Sequence, residues 1–259
     1  MSLAYFYSWH TGLSKAQAYG LLLGYCAIYV LPLHSLLAAK LSPSRSRDDP
    51  KVIRARVRAV SFSTTACSLI TFFILRQTIP VSDSRPGSAS GLPSLGSQSV
   101  LHLMGCWPPG LLETAKASLL TVFLFAGPIF ECLFLDGVWK QWLRLAPLQR
   151  LWNDWPTWRN TVVGPVTEEF LFRSAAVPLL LLADADLKSI IFRSPLVFGL
   201  AHVHHFYEFR ISQPYTPVSA AIARSAFQFS YTSIFGIYAT FIFLRTGSLL
   251  AVICVHTTR

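Results

Sequence analysis

The sequence has little charge and few cysteines, and each shortage removes a class of protein. Charged residues make up 13% of its 259 residues, whereas soluble domains usually carry about 25%. Hydrophobic residues make up 53%, and the mean hydropathy is +0.46. The five cysteines include no CxxC pair, so neither a disulfide framework nor a zinc ribbon is indicated. This composition predicts an integral membrane protein with one polytopic domain, residues 1–259.

Several catalytic and targeting patterns are also missing from the sequence. It contains no GxSxG segment for a serine nucleophile, no glycine-rich phosphate loop and no HExxH zinc-binding segment. It also lacks a cleavable signal-peptide pattern. We therefore expect the first apolar run, Ala16–Ala39, to be retained as a signal anchor.

Apolar runs along the chain predict an all-α fold, a polytopic transmembrane helix bundle. A spanning helix needs about 20 mostly apolar residues, so we expect about seven helices, the last one cut short by the end of the sequence. The longest run could also be a bent pair of helices, because Gly236 is a candidate break. The runs are Ala16–Ala39, Ala59–Ile79, Leu111–Leu135, Thr161–Ala183, Ser189–Phe206, Thr216–Leu244 and Gly247–Val255.

A basic segment sets the expected orientation in the membrane. Lys40–Arg58 contains seven Lys or Arg residues against two Asp. Because apolar runs flank it closely, we interpret it as a cytosolic loop obeying the positive-inside rule and not as a nucleic-acid site. The Ser-, Gly- and Pro-rich stretch within residues 80–100 is then a flexible lumenal loop. Thr161–Ala183 enters the membrane from the cytosolic side.

Three charged residues interrupt that fourth apolar run. Glu169 and Arg173 are four residues apart and share a helix face. We expect them to form an intrahelical ion pair. Glu168 is turned about 100° away, so it has no partner on its own helix. Ionisable groups within a membrane are functional by default, and this spacing favours chemistry for Glu168, although a static packing network of all three is the alternative.

Three histidines follow in the next run, within FGLAHVHHFYE. His202 shares a helix face with Phe198. Glu168 lies about 10 Å and His202 about 6 Å from the same predicted membrane edge, so we expect the two side chains to be close. Clustering with His204 and His205 also leaves a zinc site across helices open. A last histidine, His256, means little by itself.

Taken in order, these segments resemble the type II CAAX prenyl endoprotease family, the Ras-converting enzymes. The family pattern is Glu-Glu-x-x-x-Arg, then Phe-x-x-x-His, then His-x-x-x-Asn/Asp. Here the first motif is Glu168 to Arg173, the second is Phe198 to His202, and the third begins at His256. The resemblance is sharpest between Asn160 and His256, so residues 160–256 are expected to form the catalytic core helices.

The resemblance implies a membrane protease that removes the C-terminal aaX tripeptide from prenylated CaaX proteins such as small GTPases. It implies a multi-pass protein of the endoplasmic reticulum membrane, with its active site near the cytosolic side and no nucleic-acid partner. Glu168 would activate water, His202 would assist, and His256 would contribute to an oxyanion hole. Glu169, Arg173 and Phe198 would support them. No metal or other cofactor is expected, and a zinc-dependent intramembrane protease is the alternative.

The sequence departs from the family pattern at its end. An Asn or Asp is expected four residues after His256, and the sequence stops at Arg259. Losing an oxyanion donor typically costs about 10²–10³ in rate, so we expect this chain to be weakly active or inactive. A truncated gene model is the favoured explanation, and an inactive isoform that binds prenylated peptides is the other. A transporter is a further alternative motivated by the buried charges.

Overall fold

The computed structural model describes residues 12–42, 45–78 and 100–257, and within them the chain is helical. This confirms the all-α class. The predicted lumenal loop at 80–100 falls, except for residue 100, outside the described residues. The helices are α1 Lys15–Ser35, α2 Pro50–Thr78, α3 Leu111–Leu124, α4 Ala126–Phe130, α5 Trp139–Leu143, α6 Ala146–Asn153, α7 Trp155–Trp158, α8 Gly164–Glu169, α9 Ala176–Leu182, α10 Leu187–Leu200, α11 His204–Ser212, α12 Val218–Thr246 and α13 Leu249–Thr257.

Fewer of these helices can cross a membrane than the apolar runs predicted. Among the described residues, α1, α2 and α12 are long and apolar enough to span a bilayer. A fourth candidate is the pair formed by α3 and the segment Ala126–Leu135, which are bent by 79° relative to each other. The protein is therefore a membrane protein, but several of the seven predicted spans are short or broken helices.

The basic segment before the second span is partly helical, which corrects the prediction of a loop over Lys40–Arg58. Helix α2 begins at Pro50, where the Asp49 carboxylate accepts a hydrogen bond from the Lys51 amide at 2.7 Å. An acidic side chain at this position stabilises a helix N-terminus. As a result Arg56 is a buried helical residue and not a loop residue.

The stretch predicted as one helix over Thr161–Ala183 alternates between two helix types. α8 is preceded by a π-helical turn at Arg159–Val163 and followed by another at Phe170–Ala175, which leads into α9. π-Helical turns are frequent at functional sites. Every residue from Leu171 to Leu180 is buried, so this irregular stretch is the centre of the core.

The next predicted span, Ser189–Phe206, is also divided. α10 ends at Leu200, and α11 begins at His204 after a short turn. In contrast, α12 continues through Gly236, which was predicted as a candidate break. Gly236 serves instead as a contact point: a Cβ atom there would lie 2.7 Å from the Pro195 Cβ atom of α10. α1, α2, α10, α12 and α13 surround the central α8–α9 stretch and enclose a cavity beside it.

Candidate active site

The three residues predicted to be catalytic line one cavity of about 580 Å³. Glu168 comes from α8, His202 from the turn after α10, and His256 from the last turn of α13. The predicted proximity of Glu168 and His202 is thus consistent with the structure, in which both face the same space. Three separate segments of the chain must fold together to form this site.

Glu168 and Glu169 have different surroundings although they are neighbours. The side chain of Glu169 has no exposed surface, and that of Glu168 is 19% exposed. Oε1 of Glu169 accepts a hydrogen bond from Nη1 of Arg173 at 3.1 Å, so the predicted ion pair is present. Arg173 also donates from Nη2 to the Gly236 carbonyl at 3.4 Å. The pair ties α8 to α12, while Glu168 faces the cavity.

His256 makes contacts that the sequence did not indicate. Its Nδ1 atom is 2.6 Å from Oε1 of Glu169, and its Nε2 atom is 3.9 Å from Oε2 of Glu168. The sequence predicts Glu169 as the partner of Arg173 and Glu168 as close to His202, and it predicts no contact of either with His256. The structure adds His256 beside both carboxylates, because α13 packs across α8.

His202 is held by Phe198, the residue one turn before it. Its Nδ1 atom is 2.9 Å from the Phe198 carbonyl oxygen. A carbonyl oxygen only accepts hydrogen bonds, so Nδ1 of His202 is the donor in this contact. The Phe198 ring packs edge-on against the His202 imidazole, with 4.8 Å between the ring centroids. The Arg173 guanidinium lies 4.5 Å from the centroid of the Phe198 ring. Phe198 therefore links His202 to the buried ion pair.

His204 and His205, which motivated the zinc alternative, contact a different carboxylate. Nδ1 of His205 donates to Oε2 of Glu208 at 2.8 Å. Among the described residues, one set of potential metal ligands has its ligand atoms within 4.8 Å of one another: His34, His204 and Glu208. This set shares only His204 with the predicted zinc ligands. Its carboxylate already has a cationic partner, since Nη1 of Arg56 lies 2.6 Å from Oε1 of Glu208.

Sequence reasoning missed Glu208 and Tyr29. Burial by itself would raise the pKa of the Glu208 carboxyl group, but the hydrogen bond from His205 and the charge of Arg56 outweigh it and lower that pKa. An acidic residue four positions after His204 was the available signal. Tyr29 of α1 lines the cavity, and its hydroxyl lies 2.9 Å from the Thr167 hydroxyl oxygen. Nothing in the α1 sequence indicated this contact.

Comparisons with known proteins point to one family. The family model described as type II CAAX prenyl endopeptidase Rce1-like matches residues 150–258. The probable CAAX prenyl protease 2 of Schizosaccharomyces pombe is 34% identical over 232 residues, which are 90% of this chain and 75% of that protein. The human CAAX prenyl protease 2 is 34% identical over 219 residues, 82% of this chain and 61% of that protein.

A shorter match is closer in sequence. The CAAX prenyl protease 2 of Arabidopsis thaliana is 46% identical over 99 residues, which are 38% of this chain and 32% of that protein. No solved structure gives a significant match. The fission yeast relative covers most of the chain at substantial identity, and the family model covers the segment that carries Glu168, His202 and His256. The chain therefore belongs to the type II CAAX prenyl endopeptidase family.

Proposed function

We propose that this protein is an intramembrane endopeptidase that removes the C-terminal aaX tripeptide from prenylated CaaX proteins. The observation that carries the proposal is the single cavity in which Glu168, His202 and His256 meet. The relatives are proteases by name, CAAX prenyl protease 2. Small GTPases with a CaaX terminus are the expected substrates, and the endoplasmic reticulum membrane, with the site near its cytosolic side, is the expected location.

In the proposed reaction, Glu168 accepts a proton from a water molecule in the cavity. The hydroxide attacks the carbonyl carbon of the prenylated cysteine, and the C–N bond to the next residue breaks. The proton then passes from Glu168 to the amine of the departing tripeptide. A positioned carboxylate of this kind contributes about 10²–10⁴ in rate. Because Glu168 is partly exposed to the cavity while Glu169 is not, Glu168 is the carboxylate that water can reach.

His202 and His256 have different proposed tasks. In its neutral form with the proton on Nδ1, His202 would accept a hydrogen bond at Nε2 and so orient the attacking water. His256 is held at Nδ1 by Glu169, so a proton on Nε2 would make it a cation. Such a cation would stabilise the oxyanion of the tetrahedral intermediate. Glu169 is the positioning residue for His256, and Arg173 balances the charge of Glu169.

The proposal uses no metal ion, and zinc is the alternative to test. Metal content of the purified protein and the effect of a chelator on cleavage answer this directly. We expect cleavage to continue after chelation. Loss of cleavage that zinc alone restores would favour the zinc-dependent alternative, and substitution of His34 would show whether the His34, His204 and Glu208 set holds the ion.

A cleavage assay in membranes tests the main proposal. A farnesylated CaaX peptide should release its C-terminal tripeptide, and an unprenylated peptide of the same sequence should not. Glu168→Ala should abolish release. Binding of the prenylated peptide without any release would instead support a membrane binding protein. Equal treatment of prenylated and unprenylated peptides would contradict the proposal.

A further inference from the structure

The cavity is also lined by arginines, which have no part in the proposed reaction. Among the described residues around the cavity, Glu168 is the one acidic residue, whereas four are arginines: Arg47, Arg56, Arg159 and Arg224. Cationic side chains that line a cavity favour an anionic ligand, because opposite charges attract. A peptide that ends three residues after the cleaved bond brings one such anion, its C-terminal carboxylate.

Two of these arginines contact neighbouring residues of one helix, α11. Arg56 of α2 contacts Glu208 of α11, with 2.6 Å between Nη1 and Oε1. Arg224 of α12 lies over the ring of the next residue, Phe209, with 4.7 Å between its guanidinium carbon and the ring centroid. Because Glu208 and Phe209 are adjacent on α11, one short stretch of this helix contacts both guanidinium groups, and both arginines line the same cavity.

The two arginines differ in how their charges are balanced. Arg56 is buried and paired with Glu208, and its Nε atom donates to the Ala39 carbonyl at 2.9 Å. Its Nη2 atom has no hydrogen-bond partner among the described residues. Arg224 is exposed, and no ion pair joins it to an acidic residue in the described part of the chain. Arg224 thus has the uncompensated charge, and Arg56 has a donor without a partner.

Helix geometry places the backbones of these two arginines somewhat farther from the level of the proposed catalytic residues than an extended tripeptide can span. On α2, Thr64 donates to the carbonyl of Thr167, next to Glu168, and Arg56 is eight residues earlier, or about 12 Å at 1.5 Å per residue. On α12, Phe235 contacts the ring of His256, and Arg224 is eleven residues earlier, or about 16 Å. Three extended residues span at most about 10–11 Å. The long arginine side chain can cover the remaining distance.

We propose that Arg224 and Arg56 bind the C-terminal carboxylate of the peptide substrate and thereby fix which bond Glu168 reaches. This carboxylate site rests on the proposed function, since it assigns the other end of the same substrate. Guanidinium groups bind carboxylates through paired, charge-assisted hydrogen bonds. A substrate longer by one residue would move its carboxylate by about 3.3–3.6 Å, out of register with the arginines.

Binding of fluorescent prenylated CaaX peptides to the full chain in nanodiscs tests the carboxylate site. Peptides of one sequence are compared with a free C-terminal carboxylate, with a C-terminal amide, and with one added residue. We expect the free carboxylate to bind roughly 10- to 100-fold more tightly than the amide, the range expected for hydrogen bonds to charged groups. The peptide with the added residue should bind more weakly than the natural length.

Three variants assign this preference to residues. Arg224→Gln should reduce the ratio of carboxylate to amide affinity, and so should Arg56→Gln combined with Glu208→Gln, which avoids an unpaired buried carboxylate. All three substitutions together should abolish it. Arg58→Gln is the matched control, because Arg58 is an exposed arginine of the same helix that does not line the cavity. Thermal unfolding of each variant verifies that it is folded.

The possible failures are distinguishable. If wild-type protein binds the carboxylate and amide peptides equally, or if the triple variant keeps the preference, the carboxylate site is wrong while prenyl-dependent cleavage still stands. If prenylated and unprenylated peptides are bound and cleaved alike, the proposed function is wrong, and the carboxylate site is overturned with it.

Discussion

At the scale of single residues, two adjacent glutamates have different surroundings because a helix turns them in different directions. Glu169 is enclosed between Arg173 and His256, at 3.1 Å and 2.6 Å. Glu168 faces the cavity, with His256 Nε2 at 3.9 Å. Burial and partners make Glu169 part of the structure, and access to water makes Glu168 available for chemistry.

Exchanging each glutamate for glutamine should distinguish an effect on turnover, expected for Glu168, from an effect on stability, expected for Glu169. We expect Glu168→Gln to lower turnover by about 10²–10⁴ and to leave the unfolding temperature unchanged. Glu169→Gln should lower the free energy of unfolding by about 3–5 kcal/mol, because it removes the carboxylate charge that pairs with the buried Arg173. Cleavage assays and thermal unfolding in detergent measure the two effects. An active Glu168→Gln variant, or a Glu169→Gln variant as stable as wild type, would contradict the assignment.

A second residue-scale prediction concerns Tyr29. Removing its hydroxyl group in Tyr29→Phe takes a hydrogen bond from Thr167, the residue before Glu168. We expect a loss of about 0.5–1.5 kcal/mol in stability and a lower turnover. Tyr25→Phe is the matched control. Tyr25 lies one turn before Tyr29 on α1, and its hydroxyl makes a comparable hydrogen bond to the Thr71 hydroxyl, at 3.0 Å. The Tyr25→Phe variant should show a similar loss of stability with normal turnover. Equal turnover in the two variants would show that Tyr29 has no role in the site.

At the scale of helices, the close approach of α10 and α12 positions the supporting residues. Gly236 permits it: an added Cβ would lie 2.7 Å from the Pro195 Cβ and 3.2 Å from a ring carbon of Phe198. The same stretch of α12 accepts the Arg173 hydrogen bond at the Gly236 carbonyl. A change in the separation of these helices would therefore move both Phe198 and Arg173.

Substituting glycines on two helices tests this contact. Gly236→Ala should destabilise the protein by about 1–3 kcal/mol through overpacking and reduce cleavage by moving Phe198. Gly24→Ala is the control, because no atom would lie within 4 Å of its added Cβ. That change should be neutral or stabilise α1 by up to about 1 kcal/mol. Unfolding temperatures in detergent decide the point, and a fully stable Gly236→Ala variant would rule out the tight contact.

At the scale of the whole molecule, the Arg56–Glu208 pair joins segments 152 residues apart in sequence, 56 to 208. The helix that carries Arg56 contacts Thr167 of α8 through Thr64, and the helix that carries Glu208 follows the turn of His202. The pair therefore holds together the two sides of the cavity. The contribution of this ion pair to the stability of the protein should depend on pH, because the pKa of the Glu208 carboxyl group is lowered in the folded protein.

The sign of the pH effect follows from that direction. A lowered pKa means that the folded protein holds the Glu208 proton more weakly than the unfolded chain does. The stabilisation is present above the ordinary carboxyl value of 4.5 and is lost as the pH falls below it. We expect wild type to be more stable than Glu208→Gln by about 3–5 kcal/mol at neutral pH, and the difference to shrink below pH 4.5. A difference that is constant with pH would contradict this role.

Much of the site was predictable because its residues are unusual for their surroundings. Charged residues such as Glu168 and Arg173 are expensive in an apolar run, and the i,i+4 spacing of Glu169 and Arg173 predicted their ion pair. Helix boundaries were less predictable. The π-helical turns around α8 and the end of α10 at Leu200 depend on packing against neighbours, which leaves little trace in the local sequence.

The sequence by itself determined that this is an all-α membrane protein and which polar side chains lie in its apolar part. These follow from composition and from periodicity, which act over a few turns of helix. Only the tertiary structure decided that His256 contacts both glutamates and that Arg56, counted with a basic loop, is a buried ion-pair partner of Glu208. The physical reason is that these contacts join segments far apart in the chain, whose relative positions are set by packing of the core.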